Sequence, residues 1–400
     1  MSAFLRSLKL NNFLSFGPES KAVELTPLNV IIGPNASGKS NFIEAIELLH
    51  STPTDLAGPI RFGGTAGEWL WKGHPIPEPA VIEAKLRKTK ALPELRYRLA
   101  FTETQFRMEL VEELLARPVS SPDDLPYVYH YQQGRMATIR QFVSFEGPGK
   151  RPYLTKKLDL NSLKIDQSIF TQRKDPEQYP EIGWVAAEFG KIQTFREWTF
   201  GRTAALRQPQ RADLPADVLH PNILNLGLVL NHLEHTDIWP RYRSYVNRFL
   251  PRFSHLSVKV QSGSVQIMMQ EEGFASPISA TRLSDGTLRF LALLALLLKP
   301  EPSPLICIEE PELGLHPDGL AIIAELLVEA SQRTQIVVTT HSDVLVSALT
   351  EYADSVLVCE HLGGRGTQLQ RLESEKLQEW LKEYRLGQIW RIGKLGGNLW

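Results

Sequence analysis

Only two cysteines, Cys307 and Cys359, occur among the 400 residues. Both sit in apolar runs that read as buried strands, which excludes a disulfide scaffold and fits a reducing cytoplasm. Long apolar runs are missing too. The longest, Phe290 to Leu298, has nine residues against the roughly 20 needed to cross a bilayer, so neither a transmembrane helix nor a membrane partner is expected. Near the amino end, Arg6 and Lys9 fall within a short alternating pattern where a signal peptide would carry its apolar core. Net charge is nearly absent: 44 Lys+Arg stand against 45 Asp+Glu, a balance of -1. That excludes a wholly basic nucleic-acid coat, but a total says nothing about distribution. There is no solenoid repeat and no low-complexity tract.

What is present points to an α/β protein. Apolar runs at Phe4 to Leu10, Ala22 to Leu25 and Leu28 to Ile32 read as strands, and Phe42, Ile43, Ile46 and Leu49 follow at helical spacing. Towards the carboxyl end, helical patterns before Leu298 and over Leu320 to Ala330 alternate with strands at Leu305 to Ile308, Gln335 to Thr339 and Ser355 to Cys359. Such alternation predicts a mostly parallel sheet with helices on its faces. Between these ends, Ala80 to Leu86, Leu95 to Phe101, Tyr127 to Tyr131 and Ile139 to Phe145 read as antiparallel strands. Ile223 to Leu233 and Trp239 to Leu250 read as helices, and Leu256 to Val260 with Val265 to Met269 as a hairpin around Gly263. Nineteen of the 27 prolines lie within 51–280, which excludes a long coiled coil there. The expected organisation is a core of 1–50 plus 280–360, a β-rich part at 51–150, a mostly helical insertion at 151–279, and a tail, 361–400, packed on the core.

The chemistry concentrates in four places. Gly33, Pro34, Asn35, Ala36, Ser37, Gly38, Lys39 and Ser40, followed by Asn41, form a phosphate-loop pattern between a strand and a helix. Backbone N–H groups at the helix start can hold phosphate oxygens, Lys39 can reach the β and γ phosphates, and the Ser40 hydroxyl can bind Mg²⁺. The strand Leu305 to Ile308 ends in two acids. Glu309 reads as the metal-side carboxylate and Glu310 as the general base that polarises water. Ser284 is a natural N-cap, with Asp285 and then Gly286 in the first turn, where Gly286 allows an anion close to the helix. His341, at the carboxyl end of another strand, lies where a γ-phosphate can be sensed.

Together and in this order, these elements resemble the ABC-type ATPases, in the branch of SMC, RecF and OLD-like heads. Gly33 to Ser40 matches Walker A, Leu283 to Thr287 the signature, Ile306 to Glu310 Walker B, Leu313 to Pro317 the D-loop and His341 the switch histidine. Leu10 to Phe16 matches the opening of the branch. The resemblance covers about a third of the chain. It departs at Glu309, where the family usually has Asp, and at Asp285, where many relatives have Gly. It implies a P-loop NTPase head with a mostly parallel core sheet, an antiparallel β subdomain and an α-helical insertion, using ATP and Mg²⁺. It also implies Lys39, Glu310 and His341 in catalysis. Ser40, Glu309 and a Q-loop glutamine would hold the metal; the glutamine is assigned to Gln172, with Gln133 and Gln193 as rivals.

In that family two heads pack head to tail, so that each signature covers the nucleotide of the other copy, and such a dimer is a switch. Its target is open. Residues 191–252 hold nine Lys/Arg against five Asp/Glu, with Phe195, Trp198, Phe200, Trp239, Tyr242 and Tyr245 interleaved. That composition suits a phosphate backbone and stacked bases, hence DNA in repair or antiviral defence. The alternative is a regulatory ATPase holding an effector protein encoded nearby, such as a nuclease or toxin. Fewer than 60 residues follow His341, too few for the Toprim domain of OLD proteins. A transporter subunit fits less well, because 244 residues separate Ser40 from Ser284. Residues 301–360 carry eleven Asp/Glu and one Arg, so the near-zero total conceals a segregated charge pattern. In the tail, Trp380, Trp390 and Trp400 are expected to pack back on the core or to anchor a partner.

Overall fold

The computed structural model describes residues 3–87, 94–118, 127–142, 153–159, 163–196 and 198–397. Strand β1 (Leu5–Asn11) and the short β2 (Val23–Glu24) precede β3 (Leu28–Ile32), which runs through the 33–38 loop into helix α1 (Lys39–Ser51). After α2 (Ala57–Phe62) come β4 (Ala80–Leu86), β5 (Leu95–Thr104), β6 (Arg107–Ala116), β7 (Tyr127–Gln132), β8 (Ala137–Phe142) and β9 (Tyr153–Leu158). Helices α3 (Ile169–Gln172) and α4 (Pro180–Gly190) lead to β10 (Gln193–Phe195) and β11 (Gln210–Arg211). The insertion continues with α5 (Leu226–Glu234), α6 (Trp239–Phe249), β12 (Phe253–Gln261), β13 (Ser264–Glu271) and β14 (Ile278–Ser279). Then α7 (Asp285–Leu297), β15 (Leu305–Glu309), α8 (Pro317–Ala330), β16 (Gln335–Thr340), α9 (Asp343–Ala348) and β17 (Val356–His361) alternate. The chain closes with β18 (Thr367–Arg371), α10 (Ser374–Leu381) and α11 (Leu386–Arg391). Phe145, the expected end of one strand, and Trp400 lie outside the described residues.

A six-stranded sheet in the order β10-β15-β16-β3-β17-β18 forms the centre. It is parallel except for β18, which returns from β17 as an antiparallel edge. Side chains alternate between its faces, so each strand feeds two cores. Val30, Ile32, Ile308, Val338 and Val358 face one core, built with α7, α8 and the insertion. Ile31, Cys307, Val337, Leu357 and Cys359 face the other, built with α1 and an antiparallel sheet. That second sheet has eight strands, β2-β1-β4-β5-β6-β7-β8-β9. The opening strands β1 and β2 thus belong to the antiparallel layer, and β10, from within the insertion, joins the parallel one. Eleven consecutive residues of α7, Thr287 to Leu297, are buried, as expected of a helix that is apolar nearly all round.

The aromatics of 191–252 are core residues. Tyr242 is fully buried and its hydroxyl donates to the Leu291 carbonyl at 2.8 Å. Trp239 stacks on Tyr242 with ring centroids 5.3 Å apart, and Phe195, Phe200 and Tyr245 are buried as well. The acidic stretch 301–360 finds its countercharge here: Arg248 of α6 pairs with Glu325 of α8 at 2.7 Å, and Arg241 pairs with Glu329. Segregation along the chain is therefore partly neutralisation in space.

The tail packs on the core through Leu386, Ile389 and Trp390, while Trp380 is partly exposed. Gly387 meets the Asp343 carbonyl of α9 so closely that a Cβ there would lie 1.9 Å from it. Further on, the Gly397 N–H donates to Glu360 at 2.6 Å, and a side chain at Gly397 would reach within 3.5 Å of the Gly33 Cα. Among the described residues no helix is long and apolar enough to cross a membrane.

Candidate active site

The carboxyl ends of β3, β15 and β16 lie side by side, and the 33–40 loop, the Glu309–Glu310 pair and His341 emerge from them. Ser37 N–H donates to the Pro34 carbonyl, closing the outer turn of the 33–38 loop around Asn35 and Ala36. Ala36 and Gly38 are left-handed, at φ 61° and 106°. Gly33 admits no side chain, since a Cβ would lie 2.2 Å from the Cys359 carbonyl. Helix α1 starts at Gly38 without a side-chain cap and without an acid in its first turn, so its positive end is free for an anion. From outside the loop, Thr367 donates to the Ser37 carbonyl at 2.7 Å and Asn41 donates to the Ser15 hydroxyl at 2.8 Å. This explains the place of the opening segment: Ser15 braces the start of α1.

Lys39 is buried, its ammonium donating to the carbonyls of Gly33 and Pro34 at 2.9 Å each. Burial lowers its pKa from the ordinary lysine value, against the opposing pull of Cys359, Glu310 and Glu309. The Ser40 hydroxyl donates to Glu309 Oε1, so the two residues expected on the metal side meet directly. Glu310 follows the strand in a left-handed conformation, φ 47°. Its N–H donates to the Thr339 carbonyl at 3.0 Å, its carbonyl accepts from Arg289 at 3.1 Å, and its Oε1 lies 3.4 Å from His341 Nε2. Burial, and then the Lys39 charge, push the His341 pKa down, which leaves the imidazole neutral at pH 7.

Ser284 caps α7, its hydroxyl accepting from the Thr287 N–H at 3.0 Å. Asp285 pairs with Arg207, a buried guanidinium that also donates to the carbonyls of Leu283 at 2.6 Å and Ala280 at 3.0 Å. Gly286 lies against the D-loop: a Cβ on it would be 2.5 Å from the Gly314 carbonyl.

The structure places Gln172 elsewhere. Its amide is spent on the 164–167 loop, donating to the Lys164 and Gln167 carbonyls at 3.1 and 3.0 Å. The adjacent Thr171 donates to the carbonyl of Thr52, past the far end of α1. At 1.5 Å per residue, that is about 18 Å along the helix from Ser40. Gln133 reaches Glu109 at 2.9 Å, and Gln193, at the amino end of β10, reaches the Leu219 carbonyl at 3.0 Å. None of the three is bonded to Ser40 or Glu309.

The residue beside Glu309 is Arg196, the first after β10, with its Nε 2.9 Å from Glu309 Oε2. The motif reading passed over it. Its signal was positional: ligands gather where parallel strands end, and Arg196 is such an end. Glu312 was missed as well. It accepts from the Thr340 hydroxyl at 2.7 Å and the His341 N–H at 2.8 Å, fixing the backbone that carries His341.

A family profile described as "AAA domain, putative AbiEii toxin, Type IV TA system" matches residues 28–131 and 141–347. The chain belongs to this AAA family. It is 25% identical over 422 residues to the Old nuclease of Escherichia phage P2, covering 96% of this chain and 63% of the relative. It thus spans less than two thirds of that protein's length. An ATP/GTP phosphatase of Helicobacter pylori (strain ATCC 700392 / 26695) is 18% identical over 354 residues, covering 87% of this chain and 88% of that one. Among solved structures, an Smc head bound to the C-terminal winged-helix domain of ScpA superposes with a TM-score of 0.57 at 15% identity, covering 94% and 99% of the two chains. A second Smc head, with an extended coiled coil and the ScpA C-terminal domain from Pyrococcus furiosus, gives 0.53 at 14% identity, covering 95% and 99%. The fold is therefore that of the SMC head, an ABC-type P-loop fold.

The residues fit a magnesium nucleotide. The loop offers an uncapped helix start, and the buried Ser37 and Thr339 hydroxyl oxygens have no hydrogen-bond partner within the protein. Among the described residues no group of three or more His, Cys, Asp or Glu could hold a metal. Ser40 and Glu309 together offer one hydroxyl and one carboxylate oxygen, a donor set of the kind Mg²⁺ uses beside substrate phosphates.

Proposed function

We propose that the protein binds and hydrolyses ATP with Mg²⁺ and closes head to tail with a second copy on the nucleotide. The observation that carries this reading is the junction of Lys39, the Ser40–Glu309 pair and the Glu310–His341 pair at one sheet edge. Lys39 exchanges the carbonyls of Gly33 and Pro34 for phosphate oxygens. Ser40 and Glu309 hold the cation, which supplies neutralisation of the phosphate charge. Glu310 orients and deprotonates the attacking water, and neutral His341 lies close enough to Glu310 to hold it and sense the γ-phosphate. The turn Leu283 to Gly286 of a second copy supplies the helix start that covers the phosphate from the other side.

The test is ATP turnover together with light scattering. Lys39→Ala should lose nucleotide binding, and Glu310→Gln should bind ATP and accumulate as a stable dimer. A Glu310→Gln variant that remains monomeric with saturating MgATP sinks the sandwich.

For the output of the switch, burial of the 191–252 aromatics and ion pairing of α6 favour an effector protein over stacked DNA bases. The competing DNA reading, in repair or antiviral defence, predicts an affinity that falls steeply with salt. Flat or undetectable binding to DNA, with co-purification of a neighbouring gene product in the cytoplasmic fraction, supports the effector reading.

A further inference from the structure

Arg196 carries the densest ion-pair arrangement in the site. It follows β10, whose Phe195 pairs in register with Ile308, so it lies beside Glu309 at the sheet edge. Each of its three guanidinium nitrogens meets a different carboxylate: Nε to Glu309 Oε2 at 2.9 Å, Nη1 to Glu47 Oε2 at 3.0 Å and Nη2 to Glu44 Oε1 at 2.8 Å. Glu44 and Glu47 follow Ser40 by four and seven residues, one face of α1. Both oxygens of Glu309 are thereby engaged, Oε1 by Ser40 and Oε2 by Arg196.

We infer that Arg196 is an internal counter-cation that competes with the divalent metal for Glu309 and thereby sets how much Mg²⁺ the nucleotide site requires. The inference rests on the ATPase reading and deepens it. Three carboxylates surround one guanidinium, so the cluster keeps a net negative charge and still attracts a divalent cation. Because Glu44 and Glu47 stay bonded to Arg196, the guanidinium gives up only its Nε contact when Glu309 turns to the metal. It does not have to leave the site. The longer glutamate, where the family usually has aspartate, lets one carboxylate reach both Ser40 on α1 and Arg196 beside β15. Arg196 is thus a positioning residue, acting through Glu309.

Binding of a fluorescent ATP analogue at graded Mg²⁺, without turnover, tests this. In Arg196→Gln the half-saturating Mg²⁺ should fall about tenfold or more, the order expected for losing one charge-assisted hydrogen bond. Arg196→Lys keeps the charge but not the three-way fork, and should lower the requirement by a smaller factor. It also serves if the glutamine variant does not fold. An unchanged or increased Mg²⁺ requirement in either variant overturns the inference while leaving the ATPase reading intact. Failure of the wild-type protein to bind ATP at any Mg²⁺ concentration overturns that reading, and this inference with it.

Discussion

Arg289, on the helix that opens with the signature, donates to the backbone carbonyl of Glu310, the proposed general base, at 3.1 Å. The same guanidinium lies over the rings of Trp198 and Phe200, 5.5 and 4.9 Å from their centroids. Glu310 has a left-handed backbone, which costs a non-glycine residue about 1–2 kcal/mol and persists only when neighbours hold it. Arg289 is one such neighbour. It joins the helix opened by Ser284 to Glu310, the residue proposed to activate water, within a single chain.

Arg289→Met keeps an apolar stem over the aromatic rings and removes the donor. ATP turnover should fall about tenfold or more, as one lost hydrogen bond to a charged group predicts. Nucleotide affinity should remain near that of the wild type, because the phosphate loop is untouched. Phosphate release and fluorescent-nucleotide titration separate the two quantities.

Gly286→Ala would place a Cβ 2.5 Å from the Gly314 carbonyl. Overpacking of this kind costs about 1–3 kcal/mol, and here it would push apart the two loops proposed to face a second copy. ATP-driven dimerisation of the Glu310→Gln protein should weaken markedly, and the monomer melting temperature should fall by roughly a few degrees.

Glu113 on β6 provides a pH dependence far from the site. It is fully buried and accepts from Tyr97 at 2.8 Å and from the Ile169 N–H at 2.9 Å. Burial pushes its pKa up to about 7, against the opposing hydrogen bonds from Ser168, Ile169 and Tyr97. Between the ordinary carboxylate value and about 7 the folded state therefore holds a proton that the unfolded chain has released. Its contribution to stability is complete at acid pH and is lost as pH rises through that window, by about 3 kcal/mol in all. Melting curves from pH 4 to 8 should show wild type losing ground to Glu113→Gln as pH increases. Parallel curves would rule this out.

Neither thiol should react in the native protein. Cys307 and Cys359 are buried, and burial pushes the Cys359 thiol up to about 11 and Cys307 higher still. A disulfide reagent should titrate no thiol under native conditions and two after unfolding. Rapid native modification of either would show that the sheet opens locally.

Three of the four chemical motifs were legible because each is a contiguous string whose backbone role is local: a loop before a helix, acids ending a strand, a serine capping a helix. Arg196 was not. Its meaning depends on β10 pairing with β15, more than a hundred residues further along the chain, and β10 has only three residues. Strand β6 was hidden for another reason. Its sequence, Arg107 to Ala116, is rich in glutamate and leucine, residues that favour helices, and pairing with β5 and β7 overrides that preference. The aromatics of 191–252 had the right composition for stacking bases, but composition cannot distinguish an exposed ring from a buried one.

The position of Gly397 has a practical side. It is fastened to Glu360 and lies against Gly33, so position 397 itself sits next to the phosphate loop. A dye or affinity handle attached there would be a neighbour of the nucleotide rather than a remote label. It would report occupancy, and it could also disturb it.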